Sequence, residues 1–578
     1  MKKKIVAILM SVAVMSSLFV GCGKKAEETD SKATPTTAAT TPTDEGKTGE
    51  ATTAPKEIKE FTAFFDREGA ELNDDNEIKQ IIAEKIGAKV KETWLTGQTA
   101  EEAVGMFIAS GEYPDFMNWT PELQDAGALV AIDEYLDKYP NIKALWSESQ
   151  WNSLREDDGH IYSIPQFDNI NVKKMDTNQW GEAVWLQTRV LKWAGYPVVE
   201  SLDQLFQLLN DYTAANPTMP DGTPVIPYEI LTYDWYYFCL ENLPQFLDGY
   251  PNDGRCIVDP VTYQVSDYNM TPTAKRYFKK LNEEYKKGII DPEFMTMNHD
   301  QFLEKISSGR VLCMVEQYWD FQTAEQSIKS QKLEGCTYVP LGITIEPGMK
   351  EQYYVATEAA VLTGGLSITT SCKDVEGALQ FVNDILDPEV MTLRHWGVKD
   401  VDYIVDANGV FSRTQEMRDN AVNSDYKASH LCSYSYFPQY TGMHPDGINA
   451  MTPDTQPGEF YDGLTPEVQE CLAAYGAETF IDLLDYNEFD GEERPWYPMW
   501  SFVNQITTET PGGLAWERME ETKKQHLPQV VIANDFDAAW EEYVEAYYKA
   551  KPEDFFKEVQ EAVYDRIELV TGTRPAAQ

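Results

Sequence analysis

Three short apolar runs separated by two amphipathic stretches open the body of this chain, and that alternation constrains its fold more than any other feature. Phe61-Thr62-Ala63-Phe64-Phe65 reads as a strand closed by Asp66. Ile78, Ile81, Ile82 and Ile86 then recur at helical spacing until Gly87 stops the helix. Val90 to Trp94 returns to strand. Thr99-Ala100-Glu101-Glu102 is a capping box, followed by Val104, Phe107 and Ile108 on one face and Gly111 as the stop. Asp115-Phe116-Met117 is a third strand. Strands alternating with helices imply an α/β body with a parallel sheet covered on both faces. Ligands of such sheets sit outside the carboxyl ends of the strands. Asp66 falls at one such end, and Asn118 with Trp119 at another. Further along, the apolar run Val311–Val315 ends in Glu316-Gln317-Tyr318-Trp319, again a polar group beside aromatics.

Before this body, Met1-Lys2-Lys3-Lys4 precedes an apolar or small run from Ile5 to Val20. Sixteen helical residues would span roughly 24 Å, short of the hydrocarbon core of a bilayer. A secretory signal is the expectation. Leu18-Phe19-Val20-Gly21-Cys22 resembles a bacterial lipobox, which implies lipidation of Cys22. Gly23–Glu57 holds ten Thr and three Pro and no apolar residue larger than Ala. Such a segment cannot bury enough surface to order itself and serves as a tether.

The chain of 578 residues carries a formal net charge of −47. A polyanion of this kind repels nucleic acid and offers no basic membrane patch. The roughly 520 residues after the tether exceed one hydrophobic core, so at least two lobes are expected. The seven cysteines beyond Cys22 are scattered without paired spacing, which points to neither a disulfide framework nor a zinc site.

Several motifs resemble those of the family 1 extracellular solute-binding proteins, the lipoprotein subunits of oligosaccharide ABC importers. Ser110-Gly111 with Pro114-Asp115-Phe116 is similar to a step that precedes a binding tryptophan in that family. Asp158-Gly159-His160-Ile161-Tyr162-Ser163-Ile164-Pro165 is similar to its DGKIYGIP signature. Tyr285–Phe294 resembles YKEGLIDPEF, and Ser307–Val311 the SGKVG step after it. Trp396-Gly397 and Tyr403–Gly409 resemble its late hairpin. The resemblance implies a two-lobed periplasmic-binding-protein-like fold of type II with a ligand cleft between the lobes. It implies crossings after Ile164-Pro165, near Gly309 and near Gly364-Gly365. The expected organisation is a signal peptide over 1–21 and a lipid-anchored linker over 22–57. The N-terminal lobe takes 58–165 plus 306–365. The C-terminal lobe takes 166–305 plus 366–578, and its last helices could pack back on the hinge and the N-terminal lobe.

Sugars present CH-rich faces and hydroxyl-rich edges. Indole and phenol rings cover the former, while amides and carboxylates take the latter. Trp119, Asn118 and Asp66, and Trp319, Tyr318 and Gln317, supply both chemistries together, with Trp235 and Asp234 from a third segment. Asn and Asp also serve as helix caps, and most of the 14 Trp and 32 Tyr must be core or surface packing. Tyr434, Tyr436, Phe437, Trp496 and Trp500 fall in loop-like stretches and suit either a cleft or a packed hinge.

The function expected is capture of an oligosaccharide and its delivery to ABC permease subunits, by a monomer anchored through its N-terminal lipid on the extracellular face of the cell membrane. No catalytic residue, metal or cofactor is expected. The rival readings are a secreted carbohydrate-active enzyme and a tethered sugar sensor. For the enzyme, no spacing singles out a carboxylate pair and no HExxH, Gly-x-Ser-x-Gly or P-loop occurs. Asp406-Ala407-Asn408-Gly409 begins like a calcium loop but reads better as a hairpin turn.

Overall fold

The first five elements follow from their sequence. Strand β1 (Lys59–Phe65) leads to helix α1 (Glu77–Ile86), β2 (Ala88–Trp94), α2 (Ala100–Ser110) and β3 (Phe116–Asn118). The Asn76 side chain accepts the Lys79 N–H to start α1, and Thr99 and Glu102 close the capping box of α2. Gly87 (φ 79°) and Gly111 (φ 68°) end the two helices in the left-handed region, which costs glycine nothing. The computed structural model describes residues 58–156, 158–167, 175–357, 365–485, 487–489, 494–497, 499–504 and 506–576. The signal, Cys22, the tether, Asp157 and Gly364 lie outside the described residues.

β1 pairs in parallel with β2 and β3. The strand period of two sets what each face carries. Phe61, Ala63, Phe65 and Phe116 join Ile78 and Ile82 of α1 in one core, whereas Phe64 and Met117 pack with Val104, Leu123 and Leu129 on the opposite face.

A second sheet holds β4 (Glu182–Gln187), β5 (Cys313–Gln317) and β6 (Tyr338–Leu341), with β4 central and both pairings antiparallel. The parallel expectation therefore holds for β1–β3 and for the short pair Val355–Thr357 with Asn487–Phe489, but not for this second sheet. It depends on consecutive strands, and β4 ends at Gln187 while β5 begins only at Cys313. The last strand of the first sheet, β7 (Leu366–Ile368), runs antiparallel to β3, with Leu366 opposite Asn118.

These pairings correct the expected lobe boundaries. Residues 313–341 build the second sheet, not the first lobe. Residues 366–391 and 432–451 bury Leu366, Phe381, Tyr434 and Phe437 in the first core, not the second. Gly309 marks no crossing. Its carbonyl accepts Gln187 Nε2 at 3.0 Å and Arg189 Nη2 at 2.8 Å inside the second lobe. Along the chain, core membership passes from the first core to the second between Ile164 and Ala183, back between Tyr354 and Leu366, and again to the second between Met451 and Val468. At the return, Gly365 has φ 138°, and a Cβ there would stand 2.9 Å from the Ile164 carbonyl oxygen.

The helices Pro511–Ile532, Phe536–Lys549 and Pro552–Thr571 bury Leu527, Val531, Tyr543, Tyr547, Phe555 and Val563 in the second core. The last of them also meets the helix Glu148–Ser153 of the first lobe. Ile404–Val405 and Phe411–Ser412 form the expected hairpin, closed by Asp406 Oδ1 accepting the Asn408 and Val410 N–H groups at 2.8 Å. The seven cysteines from Cys239 to Cys471 are buried single thiols. Among the described residues no helix is long and apolar enough to cross a membrane.

Candidate functional site

Parallel pairing of β1 with β3 brings two carboxyl ends together, and with them Asp66 and Asn118. Asn118 shares its face with Phe116, so its amide points toward the first core and is 6% exposed. Its Nδ2 donates to Asp66 Oδ1, and its Oδ1 accepts Gln166 Nε2 at 3.0 Å. The same Gln166 nitrogen donates to the Tyr436 carbonyl. Asn118 is therefore committed inward as a brace, and Asp66 is the group it braces. Asp66 Oδ2 takes no hydrogen bond among the described residues. Arg67 Nη2 stands 3.5 Å from the Asp66 carboxylate, and its guanidinium carbon lies 5.1 Å from the centre of the Tyr436 ring.

Tyr436 in turn rests on Phe65, Trp94 and Phe167 at ring separations of 5.4, 5.3 and 5.8 Å, with Phe167 partly open to solvent. The loop after β1 reaches this cluster because Gly69 has no side chain. A Cβ there would lie 2.1 Å from the Trp94 ring. Trp119, one residue past Asn118, turns to the other face. It packs half-buried beside Phe64 and Met117, with its backbone N–H donating to Gly365 O at 2.8 Å. The indole N–H groups of both Trp119 and Trp94 are shielded and find no acceptor among the described residues. A shielded donor without a partner costs about 1–3 kcal/mol until a ligand or water takes it.

The second lobe presents a different surface. Gln317 ends β5, and the helix Tyr318–Gln331 begins at once. Trp319 is 42% exposed, its Nε1 donating to Gln317 Oε1 at 2.6 Å. Trp235 is 47% exposed and lies parallel to it, ring centres 5.9 Å apart at 11°. Asp234 beside it holds φ 51°, a left-handed turn that aspartate tolerates better than most residues, and Tyr233 is also exposed. The result is an open platform of two parallel indoles rimmed by an amide and a carboxylate.

Tyr318 does not join this platform. Its ring packs on Trp180, Trp185 and Phe321 at 5.5, 5.4 and 5.3 Å, and its hydroxyl donates to Glu325 at 2.9 Å. Of the later aromatics, Tyr434, Phe437 and Trp496 are core.

Both sets flank the first crossing. Phe167, where the chain leaves the first lobe, touches Tyr436. Trp180, where it has entered the second, touches Tyr318, the neighbour of Trp319. A hollow of about 290 Å³ lies elsewhere, over β6 between Val198, Pro340, Met349 and Leu484, and shares no residue with either set. It lacks the paired rings and amides of the two sets.

Sequence reading named Asp66, Asn118, Gln317, Trp319, Trp235 and Asp234 at strand ends and turns, and the structure brings them into these two sets, whereas Trp119 packs on the opposite face of the first sheet. It missed Gln166, Arg67, Trp94 and Phe167. The first of these sits just after the Ile164-Pro165 signature, which was the available signal.

Beneath Gln317, in register with it across β4 and β5, lies Glu182. Its Oε2 accepts Asn242 and Asn252 amides at 3.0 and 2.8 Å, and burial pushes its carboxyl up to about 7. An unfolded glutamate titrates near 4.5. The folded chain therefore binds more protons between these values. The stability this group contributes is fully present below 4.5 and is lost as pH rises through 7, a loss of about 3 kcal/mol. Urea midpoints are expected to fall from about pH 5 to about pH 8, and Glu182→Gln is expected to reduce that fall.

A family model described as bacterial extracellular solute-binding protein matches residues 77–397. The fructooligosaccharide ABC transporter substrate-binding protein FusA of Streptococcus pneumoniae is 24% identical over 250 residues, 40% of this chain and 45% of FusA. Lipoprotein LipO of Bacillus subtilis is 22% identical over 350 residues, 57% of this chain and 64% of LipO. The matches thus span less than two thirds of either relative. Among solved structures, an HMO-binding, ABC-transporter-associated solute-binding protein from Bifidobacterium longum infantis superposes with a TM-score of 0.61 at 15% identity. That superposition covers 89% of this chain and 99% of that one. The likeness establishes the fold as the two-lobed α/β arrangement of such binding proteins.

Proposed function

Because the chain belongs to the bacterial extracellular solute-binding proteins, we propose that it captures a neutral oligosaccharide between its lobes and hands it to the permease of an ABC importer. The supporting observation is that each lobe carries aromatic faces beside amide or carboxylate groups, and that both sets flank the same crossing segment. The outer face of Trp319, backed by Trp235, covers a sugar face. Asp66 Oδ2 and Gln317 take hydroxyls, and Asn118 with Gln166 fixes the aspartate. Contacts to both lobes shift the population toward a closed form, which docks on the permease and reopens to release its cargo.

In this reading the protein carries out no bond-breaking chemistry and works as a monomer. Lipid on Cys22 and the Gly23–Glu57 tether hold it at the extracellular face of the cell membrane. FusA and LipO, named as a transporter substrate-binding protein and a lipoprotein, support this placement. The test is a thermal-shift screen against fructo-, milk-type and plant oligosaccharides. A ligand at a hundred times its Kd that binds only the folded state adds about 2.7 kcal/mol of stability. A clear upward shift with one oligosaccharide class is expected. No shift with any of them, and cleavage of one, would favour the enzyme instead.

A further inference from the structure

The exposed indoles stand at one end of a column of four rings. Trp319 lies parallel to Trp235 at 5.9 Å, Trp235 stacks on Tyr236 at 3.9 Å, and Tyr236 lies flat on the His299 imidazole at 4.4 Å and 10°. The column then closes on itself. His299 Nε2 lies 2.9 and 3.0 Å from the two oxygens of Asp320, the residue that follows Trp319. His299 is itself fixed as the first residue of the helix His299–Ser307, whose capping box joins Asn298 and Gln301.

We infer that His299 and Asp320 are positioning residues for the ligand platform, holding Trp235 and Trp319 parallel through Tyr236. The inference rests on the reading that this platform meets the sugar. Both are less exposed than the tryptophans: the His299 side chain is 24% exposed, and Asp320 is 8% exposed and packs in the first turn of its helix. Without His299, Tyr236 loses the surface beneath it, and Trp235 sits on a turn whose Asp234 already holds a left-handed φ. Without the Asp320 link, the imidazole can tilt and the column loses its stacked alignment. The surroundings agree with this geometry. Burial, and then the carboxylates of Asp320 and Glu316, push the Tyr236 hydroxyl upward. A sugar face needs a flat support of fixed orientation, and pre-ordered rings bind it with less ordering cost.

The test reads the rings without ligand. Near-ultraviolet circular dichroism of the full chain should show a coupled-indole band that Trp235→Phe removes. His299→Ala and Asp320→Ala are expected to lose most of that band, and Asp320→Asn, which keeps an oxygen for Nε2, to retain it. Should the alanine variants fail to fold, His299→Gln keeps a donor for Asp320 but removes the ring, and the band should again fall. An unchanged band in His299→Gln or His299→Ala, with a normal melting curve, overturns the proposal. Affinity for the oligosaccharide with the largest thermal shift should drop in parallel, roughly tenfold. A band that behaves as expected in a protein that binds no oligosaccharide upholds the positioning role and defeats the carbohydrate reading.

Discussion

Trp319→Ala is expected to lower the affinity for the oligosaccharide that gives the largest thermal shift by about 2 kcal/mol, roughly thirtyfold, with little change in the melting curve. The two effects separate because the ring is 42% exposed and leaves no cavity when removed. What disappears is the flat apolar face that a sugar ring covers and the indole N–H held by Gln317. Trp235→Ala should behave alike, and the double variant should lose less than the sum, since the two rings support one another. Tyr318→Ala provides the contrast. Its ring packs among Trp180, Trp185 and Phe321 and its hydroxyl serves Glu325, so its loss should appear in the melting curve. Titration calorimetry and thermal unfolding of the same samples check both statements.

Arg394→Met is expected to cost about 4 kcal/mol of stability and to disorder the loop that carries Tyr436. Arg394 is 4% exposed, and burial pulls its guanidinium down to about 10, still charged at neutral pH. It is held by carbonyls. Its nitrogens donate to Ser433 O, Tyr434 O and Pro438 O at 2.8, 3.0 and 2.9 Å, and to Ile385 O at 3.1 Å. Methionine fills the volume but leaves these carbonyls unpaired in the first core, where water cannot replace the donor. Because Tyr436 O receives Gln166, which in turn braces Asn118 and Asp66, the damage reaches the ligand set of the first lobe. Urea unfolding measures the first part, and exchange of the amides at 433–437 the second.

The legible part of this molecule was local. The caps at Thr99 and Gly111, the helix face of Ile78 and Ile82, and the strand-end positions of Asp66 and Asn118 all follow from spacings within a dozen residues. The α/β class was legible for the same reason, whereas the two-lobed arrangement came from chain length and from the resemblance of the motifs to a known family. The lobe boundaries were not. β5 reads as an apolar run that any sheet could accept, and only its pairing with β4, whose end lies at Gln187, assigns it to the second lobe. β7 has the same ambiguity, settled by three residues opposite β3.

At the site, residue type announced the chemistry but not the direction of each side chain. One residue of register separates Asn118, turned to the first core, from Trp119 on the opposite face. One residue likewise separates buried Tyr318 from exposed Trp319. Tyr436 and His299 come from segments hundreds of residues or a whole helix away from their partners, and no periodicity links them.

One oligosaccharide is expected to draw the two lobes together. The most direct measurement is the distance between spin labels at Met106→Cys in the first lobe and Val198→Cys in the second, both exposed and outside the ligand sets. Addition of the oligosaccharide selected by thermal shift should replace a broad distribution by a shorter, narrower one, and Trp319→Ala should require more ligand to do so. A distribution unchanged at saturating ligand would contradict the account.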